Sequence, residues 1–220
     1  MPEKMPEKMP EKLPEDPRSK NKTFSMTSPL SYLGEYVENV QKVLSKVDNV
    51  RLAAAIELLE NSIAEGRRVY VCGNGGSAAI SDHLCCDWTK GTRIANLPAL
   101  KTHSLVANTA MLTALGNDYG YEKTFSTQVE SYGEKGDVLV AISSSGNSPN
   151  IVNAVTAAHS RGMTVIGLSG FSGGKLAELS DINLHTAFDN YGLVEDCHQI
   201  LMHVLSQFLI RKIESRRDEH

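Results

Sequence analysis

Apolar side chains return at helical spacing early in the chain, at Leu30, Leu33, Val37, Val40, Leu44 and Val47. Ser28 and Pro29 stand just before this stripe, and proline is suited to the first turn of a helix, where its missing N–H costs nothing. A second stripe follows Asp48 and Asn49, with Leu52, Ile56, Leu59 and Ile63 on one face and Gly66 as its stop. The period then changes. Residues 68–72 (RVYVC) form a short β-rich run that ends in Gly73-Asn74-Gly75-Gly76-Ser77. Similar runs recur at 102–106 (THSLV), 138–142 (VLVAI), 164–168 (TVIGL) and 182–185 (INLH), most of them separated by helical segments.

Strands alternating with helices predict an α/β fold with a parallel sheet covered on both faces, hence three layers and five strands. A long final helix is expected from Tyr191 to about Arg216. Two early helices and this late one stand outside the alternation, which leaves surface for self-association.

Composition adds a few limits. The 220 residues suffice for one α/β domain with a real core, and 41% hydrophobic with 22% charged content is ordinary for a globular chain. A formal charge of -4 and no basic block argue against nucleic acid as the main partner. No apolar run approaches the roughly 20 residues of a membrane span, and the polar, proline-rich start does not read as a signal peptide. Cys72, Cys85, Cys86 and Cys197 form no CxxC pair, a pattern that suits reduced thiols in the cytoplasm. The first sixteen residues read MPEK, MPEK, MPEK, LPED. Such a segment cannot bury enough surface to offset its ordering entropy, so residues 1–26 are expected to be a disordered tail and 27–220 a single domain.

Three groups of residues carry candidate chemistry. GNGGS at 73–77 follows a strand and opens a helix, where glycines allow close backbone approach and free N–H groups attract anions. It is neither a GxGxxG nor a Walker loop, and a tight turn without a ligand would look the same. Ser143-Ser144-Ser145-Gly146-Asn147-Ser148 occupies the corresponding place after the strand at 138–142. Its hydroxyls and backbone N–H groups can cradle a phosphate without a lysine, or simply cap a helix. Two such loops in one sheet favour a ligand, because ligands of open α/β sheets sit at the carboxyl ends of the strands. Finally, His83 and Asp87 share a helix face, and Glu195 and His203 share a broad stripe of the last helix. Two histidines and two carboxylates suit a zinc-type site, although single residues of these kinds on amphipathic helices are more often solvated. His198 and Gln199 lie on the same helix with no role assigned to them.

GNGGS, then His83, the Gly116-Asn117-Asp118 segment, the SSSGNS loop and a terminal helix bearing His203 resemble the phosphoheptose isomerases of the sugar isomerase (SIS) superfamily. The resemblance runs from about Leu30 to Ile213. It implies a flavodoxin-like SIS domain, a homotetramer with active sites between subunits, and often one Zn²⁺ per site. It implies interconversion of sedoheptulose 7-phosphate and D-glycero-D-manno-heptose 7-phosphate. Asn74, Gly75, Gly76, Asn117, Asp118 and Glu195 would then contact the sugar, and Ser143, Ser144, Ser145 and Ser148 the phosphate. His83, Asp87, Glu195 and His203 would hold the metal, with Asp87 or Glu195 as base and His203 as acid.

Two positions depart from the family. Asp87 stands where a glutamate is usual, one methylene longer and so about 1.5 Å farther in reach. Glu195 stands where a glutamine is usual. A non-catalytic SIS protein that acts through protein contacts is the alternative, and retention of both histidines and two carboxylates speaks against it. A sugar-phosphate sensor ranks last, since residues 1–26 are too short and proline-rich to be a DNA-binding domain.

Overall fold

A computed structural model describes residues 24–94 and 98–217. The first helices, α1 (Pro29–Leu44) and α2 (Asn49–Ala64), precede an alternating series. It runs β1 (Arg68–Gly73), α3 (Gly76–Gly91), β2 (Lys101–Ser104), α4 (Thr109–Tyr119), a 3-10 turn at Tyr121–Lys123, α5 (Ser126–Tyr132), β3 (Val138–Ser143) and α6 (Pro149–Ser160). It ends with β4 (Thr164–Gly170), α7 (Gly174–Leu179), β5 (Ile182–Thr186) and the long α8 (Tyr191–Arg217). Every expected strand is present. The second is shifted: paired residues run from Lys101 to Ser104, Leu105 still gives its N–H to the Val71 carbonyl, and the chain turns at 105–107.

The helix starts follow from their caps. Ser28 accepts from the Ser31 N–H while Ser31 reaches back to the Ser28 N–H, a reciprocal box closed ahead of Pro29. The Asp48 carboxylate accepts from the N–H groups of Val50 and Arg51 and so begins α2. Most of the expected tail lies outside the described residues. Phe24, however, is buried against Tyr32, Tyr36 and Phe188, so ordered chain starts ahead of the expected boundary near residue 26.

All five strands are parallel, in the order β2-β1-β3-β4-β5. Central β3 is buried at all six positions, as a continuous apolar run between two helical layers must be. One face carries a core of Val69, Val71, Val138, Val140, Ile166 and Leu168 with residues of α2, α3 and α8. The other packs Tyr70, Cys72, Leu139 and Val165 against α5 and α6. In this order the chain reverses direction between β1 and β3, so their carboxyl ends flank the crevice of a doubly wound sheet. Those ends carry GNGGS and the serine loop.

His198 ties α8 to the sheet edge. It is fully buried, with Nε2 3.1 Å from the Thr186 hydroxyl at the end of β5. Burial pushes its imidazole down to about 4, the nearby backbone of Ser169 opposing the shift and His185 adding to it. A histidine binds a proton at about pH 6.5 once the chain unfolds, so between these values the unfolded state takes up the extra proton. The contribution is therefore full above about pH 6.5, falls as pH drops, and is spent near pH 4. We expect unfolding free energy to fall by about 2 kcal/mol more between pH 7 and pH 5 in the wild type than in His198→Gln, read from urea titrations. Equal pH dependence in both proteins would contradict this role.

Candidate active site

Asn74 leaves β1 and its side-chain amide pairs reciprocally with that of Asn150 in the first turn of α6, at 2.9 Å in both directions. Tyr121 also donates to the Asn74 carbonyl, at 2.9 Å. One side chain thus fastens the GNGGS loop to the helix after the serine loop and to the turn after α4. Gly75 then takes positive φ and ends the loop as the residue before α3, with no side chain capping that helix.

In the serine loop the Ser143 hydroxyl accepts from the Gly146 N–H at 3.2 Å and lies 3.4 Å from that of Ser148. Ser148 stands at the capping position of α6, yet its side chain makes no capping bond. The Ser144 hydroxyl is buried without a hydrogen-bond partner, and such a group is costly unless something else satisfies it. The loop is braced from behind: the Ser144 and Gly146 carbonyls accept from the N–H groups of Gly170 and Leu176. A purely capping loop would use its hydroxyls on α6; here Ser143 and Ser145 accept from N–H groups of the loop itself and Ser148 caps nothing.

The polar residues of α3 and α8 divide into two places. Both helices leave the crevice side by side and in the same direction, with Gly76 beside Glu195 at one end and Asp87 beside His203 farther along. Asp87 Oδ2 lies 3.4 Å from His83 Nε2 and 3.5 Å from His203 Nε2, and the two rings meet edge to face at 5.1 Å. One ligand atom from each of the three falls within 4.8 Å of the others. Two imidazole nitrogens and a carboxylate oxygen are the donors of an open three-ligand metal centre, so the set fits a metal ion.

Glu195 does not join it. Its carboxylate lies against Gly76, where an added Cβ would fall 2.3 Å from Oε2 and displace it. It precedes His203 by eight residues, about 12 Å along one helix. Within one chain the structure therefore brings together three of the four expected ligands, because a shared stripe is not a shared point. Burial first, then the Asp196 charge, raises the Glu195 carboxyl above its ordinary range.

Asn117 and Asp118 are exposed in the last turn of α4, where Asn117 donates to Asp118 at 2.8 Å. The structure also supplies a residue that had no assigned role. Gln199, one turn from both Glu195 and His203, places its side-chain nitrogen 2.9 Å from His83 Nδ1. The spacing 195, 199, 203 was the available signal.

Known proteins resemble this chain over most of its length. A family model described as SIS domain matches residues 35–170. The phosphoheptose isomerase of Aliarcobacter butzleri is 38% identical over 179 residues, covering 80% of this chain and 89% of the relative. The solved structure of phosphoheptose isomerase GmhA from Neisseria gonorrhoeae superposes with a TM-score of 0.75 at 35% identity, covering 82% of this chain and 95% of that one. That of a phosphoheptose isomerase from Francisella tularensis gives 0.77 at 30% identity, covering 84% and 100%.

If the serine loop holds a phosphate, Ser145→Ala combined with Ser148→Ala will raise KM at least tenfold. Each lost bond to a charged group is worth about 1.5–3 kcal/mol. An unchanged KM in steady-state kinetics would remove the phosphate from this loop.

Proposed function

From the premise that this chain belongs to the phosphoheptose isomerase family of SIS-domain proteins, we propose the chemistry of its individual residues. The protein is an aldose–ketose isomerase of a phosphorylated sugar, and its reaction is the interconversion of sedoheptulose 7-phosphate and D-glycero-D-manno-heptose 7-phosphate. Such a reaction needs a base for the proton alpha to the carbonyl, an acid for the return, and support for the negative charge in between.

The observation that carries the residue assignment is the 3.5 Å contact of Asp87 with His203. Acid and base must serve adjacent carbons, and these two side chains are close enough to reach both from one side. Asp87 is the base: Oδ2 faces both imidazoles, which leaves Oδ1 for the substrate. His203 returns the proton. The hydroxyls of Ser143, Ser144, Ser145 and Ser148 anchor the phosphate, and this remote binding energy orients the reacting carbons. Asn74, Gly75, Gly76, Asn117, Asp118 and Glu195 line the sugar. The metal is Zn²⁺, held by His83, Asp87 and His203. When bound, it would polarise the sugar oxygens as a Lewis acid.

The active unit in this reading is a homotetramer with sites shared between subunits. Glu195 and His203 stand about 12 Å apart on one helix, so a sugar lined by Glu195 of one chain would meet the Asp87–His203 cluster of another. Apolar side chains are also exposed along α1 at Leu30, Leu33 and Val37, and along α8 at Ile200, Val204 and Phe208. Stripes of this kind are surfaces for another copy. A monomer at micromolar concentration in light scattering would count against it. No helix among the described residues is long and apolar enough to cross a membrane, and all four cysteines are free thiols. We place the protein in the cytoplasm.

Two amide substitutions test the division of labour. With Asp87 as base, Asp87→Asn should lower kcat by a hundredfold or more, the usual worth of a positioned base. Glu195→Gln should act mainly on KM. A dead Glu195→Gln beside an active Asp87→Asn would transfer the base to Glu195.

A further inference from the structure

We propose that Gln199 is a positioning residue that decides which ring nitrogen of His83 carries the proton, and through it whether His83 can serve as a metal ligand. The inference rests on the reading of His83, Asp87 and His203 as a metal centre. It starts from the two sides of one imidazole. Nε2 of His83 faces Asp87 Oδ2 at 3.4 Å, toward the cluster. Nδ1 faces away from it, 2.9 Å from the side-chain nitrogen of Gln199.

A neutral imidazole has one N–H and one lone pair, and the partner of one nitrogen fixes the state of the other. With the Gln199 NH₂ donating, Nδ1 is the acceptor. The proton then sits on Nε2 and points at the Asp87 carboxylate. In that state Nε2 has no lone pair to give to a metal. Ligation through Nε2 requires the proton on Nδ1, and Nδ1 then needs an acceptor. A carboxamide supplies one without moving its helix, because half a turn about its last side-chain bond exchanges NH₂ for C=O. Gln199 can therefore hold the metal-free ring in one tautomer and the ligating ring in the other. A carboxylate at this place could only accept, and an apolar side chain could do neither.

α8 keeps the amide in place. Gln199 is half-buried, and its neighbour His198 is locked against Thr186 at the sheet edge. The pairing links a long helix to the middle of α3, 116 positions away in sequence.

The test compares wild type, Gln199→Leu and Gln199→Glu as full chains. Two-dimensional ¹H–¹⁵N multiple-bond spectra of the metal-free proteins report the tautomer of His83. The wild type should show the proton on Nε2, Gln199→Glu should move it to Nδ1, and Gln199→Leu should give a mixture. Zinc affinity, read by competition with a chromophoric chelator, should fall about ten- to a hundredfold in Gln199→Leu, the usual effect of removing the partner of a ligating histidine. It should be kept or tightened in Gln199→Glu. Thermal unfolding of the three, recorded alongside, separates a lost clamp from a damaged fold. Identical His83 spectra in all three proteins would overturn the proposal, as would wild-type zinc affinity in Gln199→Leu. Absence of zinc binding by the wild type would instead remove the metal reading. The tautomer shift in Gln199→Glu would still decide the role of Gln199.

Discussion

The packing of α3 against α8 is the contact on which the rest of the site depends. Leu84 and Trp88 of α3 and Leu201, Met202 and Leu205 of α8 belong to one buried core, so the seam is held by dispersion and apolar burial rather than by its polar groups. Glycine stands at each end of α3 and faces a side chain of α8. Gly76 admits the Glu195 carboxylate, and a Cβ on Gly91 would fall 2.5 Å from Ile210 Cδ1. Because an apolar seam fixes the distance, histidines and carboxylates along its exposed edge can be held within a few ångströms of one another without attracting each other into place.

The sheet supplies the second constraint. Strand order puts β1 beside β3, and both of their loops face the crevice where the chain reverses direction. The Asn74–Asn150 pair fixes one loop to the other, and the unpartnered Ser144 hydroxyl marks where the protein's own hydrogen bonding stops. α3 grows out of the first of these loops. Through the Asn74–Asn150 pair, the serine loop is thus tied to the helix that carries His83 and Asp87. This arrangement suits chemistry in which remote binding energy places two adjacent carbons beside an acid and a base.

Much of this was legible in the sequence because buried parallel strands are short continuous apolar runs, and those of β1, β3 and β4 lead straight into a glycine or serine cluster. RVYVC followed by GNGGS and VLVAI followed by SSSGNS show strand, loop and helix start within a dozen residues. The edge of β2 was read two residues too far, since Leu105 and Val106 prolong the apolar run although the paired residues end at Ser104. The site was legible in its residue types but not in its grouping. His83 and Asp87 lie one turn apart and do meet. Glu195 and His203 lie two turns apart, share a stripe, and do not. Gln199 stood midway between them, but nothing in one sequence says that α8 lies beside α3 with this residue facing His83. That contact is set by the packing of two helices more than a hundred positions apart.

The central claim is that this chain moves a proton between the first two carbons of a seven-carbon sugar phosphate. Incubating the purified protein with sedoheptulose 7-phosphate in D₂O and following the products by NMR tests it most directly. The account predicts an aldose 7-phosphate product carrying solvent deuterium at C2, formed by the wild type and lost in Asp87→Asn. A folded, oligomeric wild-type protein that gives neither product nor exchange at high enzyme concentration would contradict it.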